Sequence, residues 1–160
     1  MGFPAMPVIE RIRLHPEYRK RLSRLSELEA DREFCRHGMA HLLDVARVAY
    51  ILNLERGLGF SREIVYAAAL LHDVGRGGQC ETGARHDALG AEIARGILAD
   101  TGDFSSEEQD AIVRAVREHR RPSPEASALG ALLCEADKAS RACHECPARE
   151  GWSWAVDKMN

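Results

Sequence analysis

Residues 64–75 read IVYAAALLHDVG and are apolar on every side until they reach a histidine and an aspartate. A helix that is hydrophobic all round has to be enclosed by other elements. The segment therefore predicts a central helix with the rest of the chain packed around it. A 3.6-residue apolar period recurs on both sides of it, and no segment shows the alternation of a half-buried strand. The expected fold is all-α, a bundle of about six helices.

Local signals mark where those helices begin and end. Residues Pro16 to Asp31 form a charged amphipathic segment with Leu22, Leu25 and Leu28 at helical spacing. A second helix is expected from Gly38 to Arg56, its stripe made by Leu42, Val45, Ala46, Ala49, Tyr50 and Leu52 and its end set by Gly57. Ser61 is placed to cap the central helix, with Glu63 near its positive end, and Gly75 is expected to stop it. Residues Gly75 to Arg85, GRGGQCETGAR, read as a glycine-rich loop. A fourth helix follows from His86 to Ala99, and Ser105-Ser106-Glu107-Glu108 reads as a capping box that opens a fifth, ending near His119. RRPSPE breaks the chain there, and a sixth helix is expected from Ala126 to Ala142. The organisation expected is one domain over 1–160, with a core at about 34–142 and an irregular tail at 143–160 carrying Cys143, Cys146, Trp152 and Trp154.

The bulk numbers exclude several classes. A net charge of -3 argues against a general nucleic-acid binder or a membrane-surface protein. No apolar run reaches the roughly 20 residues of a membrane span. The opening MGFPAMPVIERIRLH lacks the apolar core of a secretory signal, so a cytoplasmic location is expected. Five cysteines, an odd number, fit a reducing compartment better than a disulfide framework.

The chemistry-bearing residues are seven histidines and a few carboxylates set in apolar surroundings. His72 and Asp73 end the central helix, but neighbours on a helix diverge by about 100°, so other helices have to complete a shared site. His41 inside the second helix, His86 at the start of the fourth, His119 at the end of the fifth and Asp137 inside the sixth are the candidates. Asp137 lies in LGALLCEADKAS, where burying a carboxylate is costly unless it is paired or bound to metal.

These pieces resemble the HD-domain superfamily of metal-dependent phosphohydrolases. The matching stretches are HLLDVARVA from His41, AALLHDVGR through His72 and Asp73, and ADKASR through Asp137, over about residues 34 to 142. The resemblance implies that His41, His72, Asp73 and Asp137 hold a first divalent ion. His86, in HDALGAEIA, and His119, in AVREHRRP, match the two further histidines of the binuclear subset. That subset includes bacterial hydrolases that split diadenosine tetraphosphate symmetrically. The chain departs from them at Arg76, where a lysine often follows the His-Asp turn, and it lacks the GYP-type segment of the cyclic-di-GMP phosphodiesterases.

The chemistry that follows is hydrolysis of a phosphate ester or anhydride. Imidazole and carboxylate ligands without obligatory thiolate favour Mn, Fe, Co, Ni or Mg over structural zinc. Two ions bridged by Asp73 would bring water to a nucleophilic state and clamp the reacting oxygens. Arg76, Arg85, Arg120, Lys138 and Arg141 are candidates to neutralise phosphate, and His37, one turn before His41, can orient a ligand, touch substrate or simply face solvent. The expected partner is a small phosphorylated molecule, a nucleotide by preference, with no membrane and with a homo-oligomer left open. Two other classes stay in view: a di-iron oxygenase on the same fold, and a non-catalytic nucleotide-sensing module. Cys143-His144-Glu145-Cys146 with Cys35 or Cys134 is a weaker candidate for a second metal clip, against free thiols.

Overall fold

Serines set where three of the helices begin. Ser61 Oγ accepts the Ile64 N–H and opens α4 (Arg62–Leu71). Ser105 and Glu108 complete a reciprocal capping box that opens α7 (Ser106–Glu118), and Ser127 Oγ accepts the Gly130 N–H to open α8 (Ala128–Ala139). The computed structural model describes residues 5–151, and over these it also contains α1 (Pro7–Leu14), α2 (Pro16–Leu28), α3 (Met39–Glu55), α5 (Arg76–Thr82) and α6 (His86–Thr101). Short 3-10 turns at Cys143–Glu145 and Arg149–Gly151 follow α8. There is no strand among the described residues, and none of their helices is long and apolar enough to cross a membrane. Trp152 and Trp154 lie outside the described residues.

The central position of α4 follows from its composition. Val65, Ala67, Ala68, Ala69, Leu70 and Leu71 are all essentially inaccessible. Helix α4 packs on α3, α7 and α1, α8 closes against both α3 and α7, and α6 lies along α7. One continuous core runs through these contacts, from Ile9 and Ile12 on α1 to Leu132, Leu133 and Ala136 on α8.

Two helices beyond the expected set appear. Helix α1 starts with Pro7 at its first turn and buries Ile9 and Ile12, a two-residue apolar face too short to stand out in the sequence. Helix α5 replaces the expected glycine-rich loop. Its glycines serve packing: Gly77 and Gly78 are buried, and a Cβ on Gly78 would come within 2.3 Å of Leu89 Cδ2. Contact with α2 and α6 outweighs the poor helix propensity of glycine here.

Gly75 also acts differently from the expected helix stop. Helix α4 ends at Leu71, four residues earlier, and Gly75 has an ordinary negative φ. Its role is close approach: a Cβ there would sit 2.3 Å from His86 O and 2.4 Å from Gly90 N. The turn after α4 is thereby pressed onto the first turns of α6. Gly75→Ala is expected to destabilise by about 1–3 kcal/mol, because backbone has to move to admit the methyl. Gly96→Ala, in an exposed stretch of α6 with nothing within 4 Å of the added carbon, should stabilise by about 0.5–1 kcal/mol. Urea denaturation of the two variants checks the opposite signs; equal midpoints would contradict the packing argument.

Candidate metal centre

Ends of five helices meet at one place. His41 sits in the first turn of α3, His86 is the first residue of α6, His72 and His119 cap the C-termini of α4 and α7, and Asp137 lies in the last turn of α8. Asp73 follows His72 in the turn joining α4 to α5, where Arg76 N–H bonds back to Asp73 O at 2.9 Å. Because the helix has already ended, the two neighbours converge: His72 Nε2 is 3.2 Å from Asp73 Oδ2. The 100° divergence expected on a continuous helix does not apply.

Asp73 is the hub. Its Oδ2 faces His72 Nε2 and His41 Nε2, the latter at 3.9 Å, while Oδ1 faces His86 Nε2 at 3.7 Å and His119 Nε2 at 3.8 Å. Asp137 Oδ1 joins the first side, 3.2 Å from His41 Nε2 and 3.8 Å from His72 Nε2. The atoms form two groups that share Asp73: His41, His72 and Asp73, and Asp73, His86 and His119. Ligands about 2.1 Å from a divalent ion at tetrahedral or octahedral angles lie about 3.0–3.4 Å apart, close to these spacings. All six residues are at least nine-tenths buried or close to it.

The hydrogen bonds behind the rings turn their lone pairs toward the cleft. His72 Nδ1 donates to Ala69 O and His119 Nδ1 to Val116 O, each at 2.6 Å, and a carbonyl can only accept. The remaining Nε2 of each ring is thus an acceptor unless the ring is charged. His86 Nδ1 is held at 2.7 Å by Gln79 Oε1 of α5, and its Nε2 lies 3.3 Å from His119 Nε2. Two imidazole lone pairs at that distance repel unless a cation or proton lies between them. On the other side, His41 Nε2 and His72 Nε2 are buried without a hydrogen-bond partner. Buried ring nitrogens turned toward both oxygens of one carboxylate, two of them without a hydrogen-bond partner, are the donor set of a divalent-cation site.

Without a cation the charges balance through protons. Burial by itself would lower the His72 pKa, but Asp73 and Asp137 outweigh it and push it up to about 10. Burial would raise both aspartates. Instead His72 and His119 hold Asp73 far below the carboxylate range, and His41, His72 and Arg141 do the same for Asp137. His86 goes the other way: desolvation lowers it to about 4 despite Asp73, so it is neutral at ordinary pH.

The cleft opens as a cavity of about 230 Å³ bordered by Asp73, His86, His119 and Asp137 on one side and by basic residues on the other. Arg76, Arg120, Lys138 and Arg141 all line it. Arg141 is fastened to Asp137 Oδ1 at 2.9 Å, Arg76 stands between Glu29 and Asp73 at 3.7 Å from each, and Lys138 Nζ bonds Cys134 O at 3.1 Å. Arg85 is not among these walls; it is exposed and paired with Asp87. His37 is not a wall either. It is 1% exposed, so the solvent-facing alternative fails, and its Nδ1 bonds Glu29 Oε1 at 2.6 Å while its ring meets the His41 ring edge-on. The cysteines take no part in the groups of ligating atoms found among the described residues, and all five are free thiols.

Two residues that the sequence reading passed over complete the surroundings. Glu29 accepts both the backbone N–H and the ring of His37, and Gln79 positions His86. Glu29 carries one weak sign, an acidic residue at the end of an amphipathic segment. Gln79 carries none, because it sat in a stretch read as loop.

Comparison with known proteins agrees with this geometry. The HD domain family matches residues 38–142. An uncharacterized protein of Clostridium beijerinckii is 40% identical over 144 residues, 90% of either chain. Ribonuclease Y of Aquifex aeolicus is 35% identical over 102 residues, 63% of this chain but 17% of that one. For ribonuclease Y of Lactobacillus gasseri the figures are 28% over 130 residues, 81% of this chain and 22% of that one. The chain thus spans about a fifth of the length of these ribonuclease Y relatives. The crystal structure of a predicted HD superfamily hydrolase from an uncultured Thermotogales bacterium superposes with a TM-score of 0.62, covering 96% of this chain and 87% of that one at 27% identity. The matched stretch begins just before α3, ends just after α8 and encloses all six residues of the cleft, and the chain belongs to the HD-domain family.

Proposed function

We propose that this protein is a divalent-metal-dependent phosphohydrolase acting on a small phosphate ester or anhydride, with nucleotides as its substrate class. The observation that carries the reading is the division of Asp73: each of its oxygens faces its own pair of imidazoles. His41, His72, Asp73 and Asp137 would hold one ion, and Asp73, His86 and His119 a second. A bound pair of divalent ions acidifies water and polarises a phosphoryl oxygen.

The chain's own residues supply the remainder. Asp73 fixes the spacing of the two ligand groups. The carbonyls of Ala69 and Val116 keep His72 and His119 turned inward. Arg76, Arg120 and Lys138 at the cavity wall offset the charge of a phosphate, and Arg141 holds Asp137 in position. His37, buried against Glu29, steadies His41 from behind. The relatives named ribonuclease Y favour phosphodiester chemistry, and the resemblance of the ligand order to diadenosine tetraphosphate hydrolases adds dinucleotides to the substrates to try. A screen of nucleotides with added Mn, Fe, Co, Ni or Mg should show turnover with at least one pair. No turnover with any of them would contradict the reading.

Metal content tests the assignment by residue. Asp73→Asn keeps the side-chain volume and should lose both ions, with helix content unchanged by circular dichroism. His86→Ala and His119→Ala should each lose the second ion and keep the first, as read by metal analysis after gel filtration. A wild-type stoichiometry in Asp73→Asn would overturn the assignment. Gln79→Ala leaves every ligand in place but frees the His86 ring, and should weaken the second ion about 10–100-fold.

Proton release gives a further check with a definite sign. In the metal-free protein His72 is held protonated up to about pH 10, so an ion entering on its side displaces that proton. Affinity there should rise with pH through the neutral range. His86, already neutral above about pH 4, gives up no proton. Calorimetry of the one-ion His86→Ala variant in buffers of different ionisation enthalpy should report about one proton released per ion at pH 7.5. Zero release would contradict the charge balance of the cleft.

A further inference from the structure

The cleft is too small for the molecule it is proposed to serve. At about 230 Å³ it falls below the roughly 300–1,000 Å³ of pockets that enclose a whole organic ligand. A phosphate fits there; what the phosphate is attached to has to lie elsewhere. Among the described residues, a hollow of about 10 Å³ beside Asp73 is too small for any substituent, and two larger ones share residues with the cleft. One, of about 220 Å³, lies between Arg85, Asp87, Arg117 and Glu118 and is charged throughout. The other is a groove of about 920 Å³ between α8 and the segment 120–126.

That groove shares Arg120 and Lys138 with the cleft. A phosphate held by these two residues therefore has its substituent at the mouth of the groove. Its floor is one stripe of α8, Ala131, Cys134, Lys138 and Ala139, with Pro122 and Ala126 opposite. Most of these residues are small and apolar; Glu135 and Ser123 also line the groove, and Glu135 is held by the Arg56 guanidinium. Arg120 and Arg121 stand at its edge, and neither makes an ion pair among the described residues, where most other arginines do. A planar guanidinium without a carboxylate is free to stack on an aromatic face.

We propose that this groove is the subsite for the organic group of the substrate, and that the group is a planar aromatic ring system of nucleobase size carried on a phosphorylated sugar. This deepens the phosphohydrolase reading and rests on it. Continuity puts the substituent in the groove, volume admits a nucleoside, and a lining of mostly small apolar residues with two arginines that make no ion pair among the described residues favours an aromatic ring over a polar chain. The charged hollow beside Arg117 would desolvate at a cost if it held such a ring.

Direct binding tests this without relying on turnover. The probes are adenosine 5′-monophosphate and inorganic phosphate, titrated by calorimetry into the Mn-loaded full chain. The wild type should bind the nucleotide at least about tenfold more tightly than phosphate. Ala131 and Ala139 are exposed, so Ala131→Trp and Ala139→Trp add bulk to the groove without entering the core. Each should cut the nucleotide's advantage to about threefold or less while phosphate affinity holds. Ala99→Trp, exposed on α6 and outside the groove's lining, should keep the advantage. Phosphate binding with no nucleotide preference in the wild type would overturn the subsite and leave the phosphohydrolase reading standing. No binding of either probe would overturn both. A wild-type dimer that dissociates in Ala131→Trp, with nucleotide affinity unchanged, would make the groove an interface between copies and overturn the proposal.

Discussion

A carboxylate buried among four imidazole nitrogens is the constraint on which the rest of this structure depends. Asp73 is 3% exposed and cannot stay charged there without positive charge beside it. In the metal-free protein that charge is the protonated ring of His72; with metal it would be the ions themselves. In either state Asp73 has positive charge beside it. Arg76 and Arg141 act at its edge, one between Glu29 and Asp73 and the other on Asp137, so the acidic side of the site is neutralised from outside as well.

Holding that carboxylate among side chains from five helices sets demands on the fold. Helix α4 has to be central, because His72 ends it and the other ligands approach from around it. The turn after α4 has to lie against α6, and Gly75 permits this by presenting no side chain to His86 O and Gly90 N. Helix α5 has to be a helix, because Gln79 reaches His86 from it. The glycines of Arg76–Thr82 thus tie local packing to the geometry of the second ligand group. The large groove along α8 adjoins the cleft at Arg120 and Lys138, where α8 meets the segment that follows α7.

Much of this was legible in the sequence, for physical reasons. Strong periodicity and serine caps located α3, α4, α6, α7 and α8, and the ordered histidines and aspartates identified the cleft residues before any coordinates. Helix α1 was missed because two buried isoleucines make too weak a stripe. Helix α5 was missed because glycine's low helix propensity reads as loop when the packing partner, Leu89, is not known. His37 carried no sign of its burial: its partner Glu29 is eight residues away at the C-terminal cap of α2, and short-range pattern does not reveal such pairs. Arg85 stands among the sequence's candidate cations for neutralising phosphate, yet it is exposed and paired with Asp87, outside the cleft. The groove was invisible, since it is formed by the relation of α8 to a proline-broken loop.

The central claim is that the two oxygens of Asp73 serve two different ions. Anomalous X-ray diffraction from crystals grown with manganese tests it most directly. The account predicts two anomalous peaks, one beside Oδ2 with His41, His72 and Asp137 around it, and one beside Oδ1 with His86 and His119. A single peak, or peaks away from Asp73, would contradict it.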